Sequence, residues 1–150
     1  MHYRREPMLH PDLAEIIAEA HSLGFATGMT TNGTLINSQS AGKLVKAGLG
    51  TAAISIDGLP DAHDHFRNAS GSWAAAVKGA ACLKKYGLEA QATTVVYKDN
   101  IDELEDIYNM LKELGFTSWA VINVDPIGRA GAQSSMQCFI FRILKQRKIC

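Results

Sequence analysis

Hydrophobic and polar residues alternate over residues 51–57. Ile54 and Ile56 are separated by Ser55 and followed by Asp57, and the run stops at a Gly-Leu-Pro sequence. Alternation with a period of two, in β-branched and small residues, predicts a β-strand, and the glycine and proline predict its end. The strand is unusual because a hydroxyl and a carboxylate lie at its carboxyl end, where α/β folds hold their ligands.

Apolar residues recur at helical spacing in four other stretches, and each of these ends close to a glycine. The pattern predicts helices that alternate with strands. Alternation of this kind indicates parallel strands joined by right-handed helical crossovers, which is an α/β fold forming part of a parallel barrel. The predicted helices are 11–23, 38–47, 72–86 and 100–114, and the predicted strands are 25–31, 51–57, 92–96 and 118–124.

Three local features belong to this prediction. Ser38 is expected to cap the second helix, and Asn100 to cap the fourth in a capping box with Glu103. The polar residues 61–71 are expected to form a loop. The apolar members of the third helix are Trp73, Val77, Ala80, Ala81 and Leu83, and those of the fourth are Ile101, Leu104, Ile107, Leu111 and Leu114.

The alternation fails after Arg129. Residues 1–130 are therefore expected to form one partial barrel and residues 131–150 an atypical tail. Within the tail, 131–135 are expected to form a loop and 136–150 either a short helix or a poorly ordered end. No other domain boundary is indicated by the sequence.

Composition narrows the class of protein. Lys and Arg together number 15 and so do Asp and Glu, so no net charge points to nucleic acid. The sequence has no apolar run of bilayer length and no signal-peptide core at its start, which predicts a soluble, cytoplasmic chain without membrane contact. Three widely spaced cysteines, Cys82, Cys138 and Cys150, argue against a disulfide framework and against a self-contained zinc site.

Polar side chains lie near the ends of all four predicted strands. Because adjacent parallel strands end at one edge of a sheet, these groups are expected to lie together and to hydrogen-bond a polar ligand, with Asp57 suited to a vicinal diol. The alternative is that they end strands through hydrogen bonds within turns. The residues are Thr30, Thr31 and Asn32; Ser55 and Asp57; Gln91, Thr93 and Thr94, of which the first two lie early in their strand; and Asn123 and Asp125.

The predicted loop after Asp57 carries further candidates. His63 and His65 have the spacing of a metal pair, but no third ligand is evident, so no metal ligand is assigned. Arg67 is suited to a bidentate contact with a ligand carboxylate. Cys82 is expected to be a core residue. No side chain is assigned a catalytic role, since the sequence has no phosphate-binding loop and no Ser-His-Asp arrangement.

An ordered set of short motifs resembles the radical SAM superfamily, in the branch of peptide-modifying and cofactor-building maturases that often carry a SPASM domain. The resemblance covers about residues 6–130. The motifs are Glu6-Pro-Met-Leu-His-Pro-Asp12, Thr31-Asn-Gly-Thr-Leu35, Ile54-Ser-Ile-Asp-Gly58, His63-Asp-His-Phe-Arg67, Gly71-Ser-Trp73, Asn100 and Pro126-Ile-Gly-Arg-Ala130.

The resemblance implies a TIM-like partial barrel, of which this chain holds about strands 3–6. It also implies S-adenosylmethionine and a [4Fe-4S] cluster as cofactors. An electron from the cluster cleaves S-adenosylmethionine to a 5′-deoxyadenosyl radical, which abstracts hydrogen from a peptide or small-molecule substrate. The residues that match cofactor-binding positions of the family are Glu6, Thr31, Asn32, Ser55, Asp57, Arg67 and Asn123.

Two departures qualify the resemblance. Arg4 and Arg5 stand where the family has glycines before Glu6-Pro7, and the sequence has no Cys-x-x-x-Cys-x-x-Cys. The expectation is therefore a truncated fragment, inactive alone, with no cluster ligands and with an open sheet edge available for self-association. The alternative is a degenerate, non-catalytic barrel that binds a nucleoside-like ligand or a partner protein. An aldolase-type barrel ranks lower, since Lys98 is the only lysine near a strand end.

Overall fold

The computed structural model describes residues 6–123 and 141–143, the side chains of Asn123 and of 141–143 excepted. One sheet has the strand order β1-β2-β3-β4-β5. β1 to β4 are parallel and follow the chain order, while β5 pairs antiparallel with β4. The strands are Gly28–Thr31, Thr51–Ser55, Gln91–Val96, Trp119–Asn123 and Phe141–Ile143, and the helices α1 to α5 are Leu13–Ser22, Ser38–Lys46, Pro60–Arg67, Ser72–Lys85 and Leu104–Glu113. The four predicted parallel strands and the α/β class are confirmed.

β5 lies in the stretch that was expected to be a helix or a poorly ordered end. The backbone of Phe141–Ile143 forms a strand against residues 119–121 of β4, so the expectation is wrong for these three residues. The rest of the predicted tail lies outside the described residues. None of the described helices has the length and apolar character that crossing a membrane requires.

The helix caps differ from those predicted. α2 is capped by Asn37, one residue before Ser38, in a reciprocal capping box with Ser40. A short 3₁₀ helix, Ile101–Glu103, precedes α5, and Asn100 makes no side-chain capping bond to it. The predicted capping box of Asn100 and Glu103 is therefore wrong. The side chain of Asn100 bonds to the sheet instead.

Residues 61–71 are not a loop throughout, because α3 occupies Pro60–Arg67. Proline is favoured in the first turn of a helix, where its missing N–H has no partner to lose. Asn68, with φ of 49°, ends the helix in the left-handed conformation. Hydropathy missed α3 because its one buried side chain is a histidine, His63.

The sheet has a covered face that packs against α1, α2, α4 and α5. Side chains alternate between the two faces of a strand, so every second residue of β1 to β4 enters this core. Among helical residues, Ile17, Leu44, Leu83, Ile107 and Leu111 meet them. The covered-face residues of the strands are Met29, Thr31, Ala52, Ile54, Ala92, Thr94, Val96, Trp119 and Val121.

The other side of the sheet, which we call the open face, carries mostly small residues. Thr30 pairs in register with Ala53, and Ser55 pairs with Thr93, which pairs with Ala120. These side chains are half-buried or exposed. In a closed barrel this face would line the interior.

α4 packs closely on the turn that follows β1. The buried stripe of α4 is Ser72, Ala76, Gly79 and Leu83, so only Leu83 of the predicted apolar members is fully buried. In α5, Ile107 and Leu111 are buried, but Ile101 before it and Leu114 after it are exposed. A Cβ on Gly79 would overlap the backbone oxygen of Gly33 and approach Ile36 Cβ at 3.2 Å. Glycine at position 79 therefore lets the helix hold the end of β1 in place.

We predict that Gly79→Ala destabilises the chain. Helix propensity alone would favour alanine by about 1 kcal/mol, but overlap with the turn should reverse the sign and lower the free energy of unfolding by about 1–3 kcal/mol. Urea unfolding measures the change. The control, Ala81→Gly on the exposed side of α4, should lose about 1 kcal/mol through propensity. A Gly79→Ala protein more stable than the wild type would contradict the close approach.

Asp64, in α3, caps the beginning of α4 from outside that helix. Its Oδ1 accepts from the N–H of Trp73 at 2.8 Å and from the hydroxyl of Ser72 at 2.9 Å, and its Oδ2 accepts from the N–H of Gly71. These bonds, led by that from Trp73, lower the pKa of Asp64 from its ordinary value. The Gly71-Ser-Trp73 motif is thus a helix start bound to an acidic partner.

We predict that Asp64→Asn lowers stability near neutral pH and that the difference from the wild type disappears in acid. A lowered carboxyl pKa contributes stability above the unfolded value of 3.8, and this contribution is lost as pH falls through the folded value. Thermal unfolding across the acid range measures the effect. Asp99→Asn, at an exposed turn position, is the matched control and should change stability near neutral pH by no more than about 0.5 kcal/mol.

Candidate functional site

Glu6 binds the end of β1. Its Oε1 accepts from the Thr31 hydroxyl at 2.6 Å, and its Oε2 accepts from the N–H of Asn32 at 2.8 Å. The N–H of Met8 also donates to Oε1, at 3.1 Å. Three predicted residues, Glu6, Thr31 and Asn32, are therefore brought together at the edge where β1 to β4 end, which we call the carboxyl edge.

Thr31 and Asn32 are used within the chain. The Thr31 side chain is 2% exposed, lies on the covered face and accepts from the N–H of Gly33 at 3.0 Å. Asn32 Oδ1 accepts from both the N–H and the hydroxyl of Thr34. The turn-forming alternative therefore describes both residues in this structure, and direct contact of either side chain with a ligand stays a prediction.

Asp57 lies two residues after Ser55, the last residue of β2, and is completely buried. Its Oδ1 accepts from the N–H of Val95 at 2.9 Å, and its Oδ2 accepts from Arg67 Nε at 2.6 Å, with a second contact from Arg67 Nη2. Both carboxylate oxygens are therefore occupied. The predicted bond from a ligand diol to Asp57 would have to compete with Arg67.

Arg67, at the end of α3, has its nearest charge partner inside the protein. Its side chain is 31% exposed, while Asp57 is 0% exposed. The neighbouring Phe66 ring stacks on Tyr97 with centroids 4.5 Å apart, which holds the end of α3 against the end of β3. The part of the guanidinium that Asp57 leaves uncovered lies at the carboxyl edge, and its contact with a ligand carboxylate stays a prediction.

Ser55 and Asn123 complete the predicted set. Ser55 is half-buried on the open face, beside Thr93. Asn123 is the last residue of β4 and pairs in register with Val96, but its side chain lies outside the described residues. Asp125 also lies outside them.

Sequence reasoning missed the roles of two buried residues. His63, which is 2% exposed, accepts the N–H of Asp57 at its Nδ1, over 3.0 Å. Asn100, which is 0% exposed, donates to the backbone oxygens of Asp57 and Val95, over 2.7 and 2.9 Å. The signal present in the sequence was the motif set that contains both residues, not their polarity.

The geometry does not support a metal site formed by His63 and His65. Residues two apart on a helix point in different directions, and here His63 is buried against Asp57 while His65 is exposed. Within residues 6–123 and 141–143, no cluster of three metal-ligating side chains occurs. Cys82, expected in the core, is half-buried and packs at its margin.

Burial and charge shift two pKa values near this edge. Burial lowers the pKa of His63, an effect that Asp57 opposes. Burial raises the pKa of Tyr97, with further contributions from Asp99 and Asp57. The edge therefore holds a neutral imidazole, a neutral phenol and a paired guanidinium, groups that orient and hydrogen-bond a polar ligand.

We predict that Glu6→Ala lowers the free energy of unfolding by about 1–3 kcal/mol, because the buried Thr31 hydroxyl and the Asn32 N–H lose their acceptor. Urea unfolding measures the loss. Glu19→Ala, on the exposed side of α1, is the control and should change stability by no more than about 0.5 kcal/mol. Equal effects of the two substitutions would show that the Glu6 bonds contribute nothing.

Comparison of the sequence with family models and with curated proteins identifies the same family. The family model described as the Radical SAM superfamily matches residues 4–111. The AdoMet-dependent heme synthase of Oleidesulfovibrio alaskensis is 39% identical over 132 residues, 85% of this chain and 34% of that protein. The PqqA peptide cyclase of Ruegeria pomeroyi is 30% identical over 129 residues, 79% of this chain and 34% of that protein.

Solved structures agree with the fold. The structure of native anSMEcpe with bound AdoMet and the Cp18Cys peptide superposes with a TM-score of 0.59 and 26% identity, over 66% of this chain and 28% of that chain. An archaeal TYW1 gives a TM-score of 0.60 at 20% identity, over 78% of this chain and 39% of that chain. The chain spans about a third of the length of the curated relatives named above.

The parallel strands, the motif-bearing carboxyl edge and the match over residues 4–111 agree with one another, and the chain belongs to the radical SAM superfamily.

Proposed function

We propose that this chain supplies part of the S-adenosylmethionine site of a radical SAM maturase. The observation that carries the proposal is the chemistry of the open face at the carboxyl edge. Small side chains line this face, Ser55 and Thr93 carry hydroxyls there, and the Arg67 guanidinium lies beside Asp57 at the strand ends. The family's use of S-adenosylmethionine and a [4Fe-4S] cluster supplies the identity of the ligand.

Hydroxyl groups on the two sides of the sheet differ in a way that favours a ligand on the open face. On the covered face, Thr31 and Thr94 hydroxyls both bond to other residues. On the open face, the hydroxyls of Thr30, Ser55 and Thr93 make no hydrogen bond to any residue within the described part of the chain. Accessible hydroxyls of this kind suit the ribose and amino-acid groups of S-adenosylmethionine.

Within this proposal the residues have separate tasks. Ser55 hydrogen-bonds the ligand, and Arg67 binds its carboxylate through the N–H groups that Asp57 leaves uncovered. Glu6 and Asp57 bind backbone N–H groups at the ends of β1 and β3, in addition to any direct contact that they make with the ligand. Thr31, Asn32 and Asn123 are proposed to frame the same edge.

The cluster does not fit the residues of this chain. Three thiolates from closely spaced cysteines bind the family's cluster, whereas the cysteines here are at positions 82, 138 and 150. When S-adenosylmethionine is bound next to such a cluster, the family obtains a 5′-deoxyadenosyl radical from it. We propose that the present chain binds S-adenosylmethionine without cleaving it.

The substrate of the complete protein is proposed to be a cofactor precursor or a peptide. Support comes from the relatives, whose names include heme synthases and a peptide cyclase, and from the peptide held by one structural neighbour. Self-association through the free edge of β1 stays a prediction. β1 pairs with β2 on one side, and no other strand among those described lies against its second edge.

We predict that the chain binds S-adenosylhomocysteine, measured by isothermal titration calorimetry. Ser55→Phe should abolish binding by filling the open face, and Ser55→Ala should weaken it by about five- to tenfold through the loss of one hydrogen bond. The control is Thr51→Ala, on the same face at the opposite end of β2. It should bind like the wild type.

Unchanged binding in Ser55→Phe would rule out this face as the site.

The proposal that this chain does not cleave S-adenosylmethionine is tested by treating the chain with iron, sulfide and reductant under anaerobic conditions. 5′-Deoxyadenosine produced from S-adenosylmethionine would contradict the proposal that this chain alone does not cleave it.

A further inference from the structure

Side chains from other parts of the chain bind both backbone polar groups of Asp57. His63 takes the N–H and Asn100 takes the C=O. The two carboxylate oxygens are bound by the Val95 N–H and by Arg67. Asp57 therefore has four attachments, from α3, from β3 and from the turn that follows β3.

Asn100 uses its whole amide in these contacts. Its two N–H groups donate to the backbone oxygens of Asp57 and Val95, and its oxygen accepts the N–H of Tyr97 at 2.8 Å. The ends of β2 and β3 are tied together through this one side chain. A substitution by Asp would place an oxygen against two carbonyls, which is repulsive.

His63 bonds to Asp57 in only one protonation state. A backbone N–H can only donate, so Nδ1 must be unprotonated and the proton of the neutral ring lies on Nε2. The charged groups that face the ring are Asp57 at the end of β2 and, on α3 itself, Asp64 and Arg67. Burial outweighs the two carboxylates and lowers the pKa of His63.

We propose that His63 and Asn100 are positioning residues for the Arg67 guanidinium, acting through Asp57 to fix the cation that faces the ligand at the carboxyl edge. The guanidinium rests on a single carboxylate oxygen, Asp57 Oδ2. Its direction therefore depends on how firmly Asp57 is held. The identification of the ligand rests on the function proposed above, but the coupling of His63 to Arg67 does not.

Protonation of His63 should release this arrangement. A histidine whose folded pKa is lowered binds fewer protons when folded than when unfolded. The folded chain therefore loses stability as pH falls below the unfolded value of 6.5, down to the lowered folded value. As pH falls through the lowered folded value, the folded chain binds this proton, which on Nδ1 would face the N–H of Asp57 and break the bond that orients Asp57.

The test follows the Arg67 Nε–H resonance by nuclear magnetic resonance, assigned by its loss in Arg67→Lys. In the wild type this resonance should be displaced from that of free arginine. It should move toward the free value as pH falls below 6.5 and through the lowered folded pKa of His63, in parallel with the titration of the His63 ring. In His63→Asn, whose side-chain oxygen can replace Nδ1 as acceptor, it should keep its displaced position without titrating.

Two further variants complete the comparison. His65→Asn, at an exposed position two residues along α3, is the matched control and should titrate like the wild type. His63→Leu, which lacks an acceptor, should show the free arginine position at all pH values. If His63→Leu does not fold, the comparison of the wild type with His63→Asn decides the question.

The proposal is overturned if the wild-type resonance lies at the free position, if it does not move as His63 titrates, or if His63→Asn titrates as the wild type does. Calorimetry with S-adenosylhomocysteine then tests the link to the ligand. His63→Asn should bind within about threefold of the wild type, and His63→Leu or Asn100→Asp about tenfold more weakly. If the wild type shows the coupled titration but binds no S-adenosylhomocysteine, the proposed function fails while the positioning role holds.

Discussion

The burial of the Asp57 carboxylate is the constraint on which the carboxyl edge depends. A charge without exposed surface is strongly unfavourable unless it is paired and hydrogen-bonded. Here the compensation comes from Arg67 in α3 and from the backbone of β3. Satisfying one side chain therefore requires that the end of β2, the end of β3 and the whole of α3 take fixed relative positions.

The same requirement explains why polar residues occupy places that an apolar core would normally fill. The Thr94 hydroxyl donates to the backbone oxygen of Ile56 and accepts from the Trp119 indole N–H. With Asn100 and His63, this gives a continuous set of buried hydrogen bonds from β2 across β3 to β4. Networks of this kind specify a single arrangement only when their polar groups are satisfied, and every side-chain N–H and oxygen of Thr94, Trp119 and Asn100 has a partner.

Much of the fold could be predicted because its elements carry clear periodicity. Alternation of apolar and polar residues predicts β2, and apolar residues at helical spacing with a terminal glycine predict α1. α3 could not be placed, since it buries His63 where a pattern search expects an apolar side chain. Hydropathy does not predict the buried stripe of α4 either, because close packing on the turn after β1 requires the small residues Ala76 and Gly79.

The sequence predicts that several candidate residues lie near one another, but it does not predict which hydrogen bonds they make. Glu6, Thr31, Asn32, Asp57 and Arg67 lie along the carboxyl edge, since parallel strands end together. Which of them face a ligand and which face each other depends on side-chain direction and on partners far along the chain. Asn100 meets Asp57 across 43 positions of sequence, a separation over which no local pattern carries information.

The different roles of the covered face and the open face follow from the alternation of side chains along each strand. A side chain at the end of a strand either turns to the covered face, where it must find a partner inside the protein, or to the open face, where solvent or a ligand satisfies it. The Thr31 side chain lies on the covered face and bonds to Glu6, whereas the Ser55 side chain lies on the open face. Both are hydroxyl residues at strand ends. Asp57 lies beyond the last residue of β2. Its carboxylate is buried, but the Arg67 guanidinium bound to it is partly exposed at the carboxyl edge. A charged ligand would then be recognised by a cation whose position the core determines, so that the conformational cost of ordering it is met during folding and not during binding.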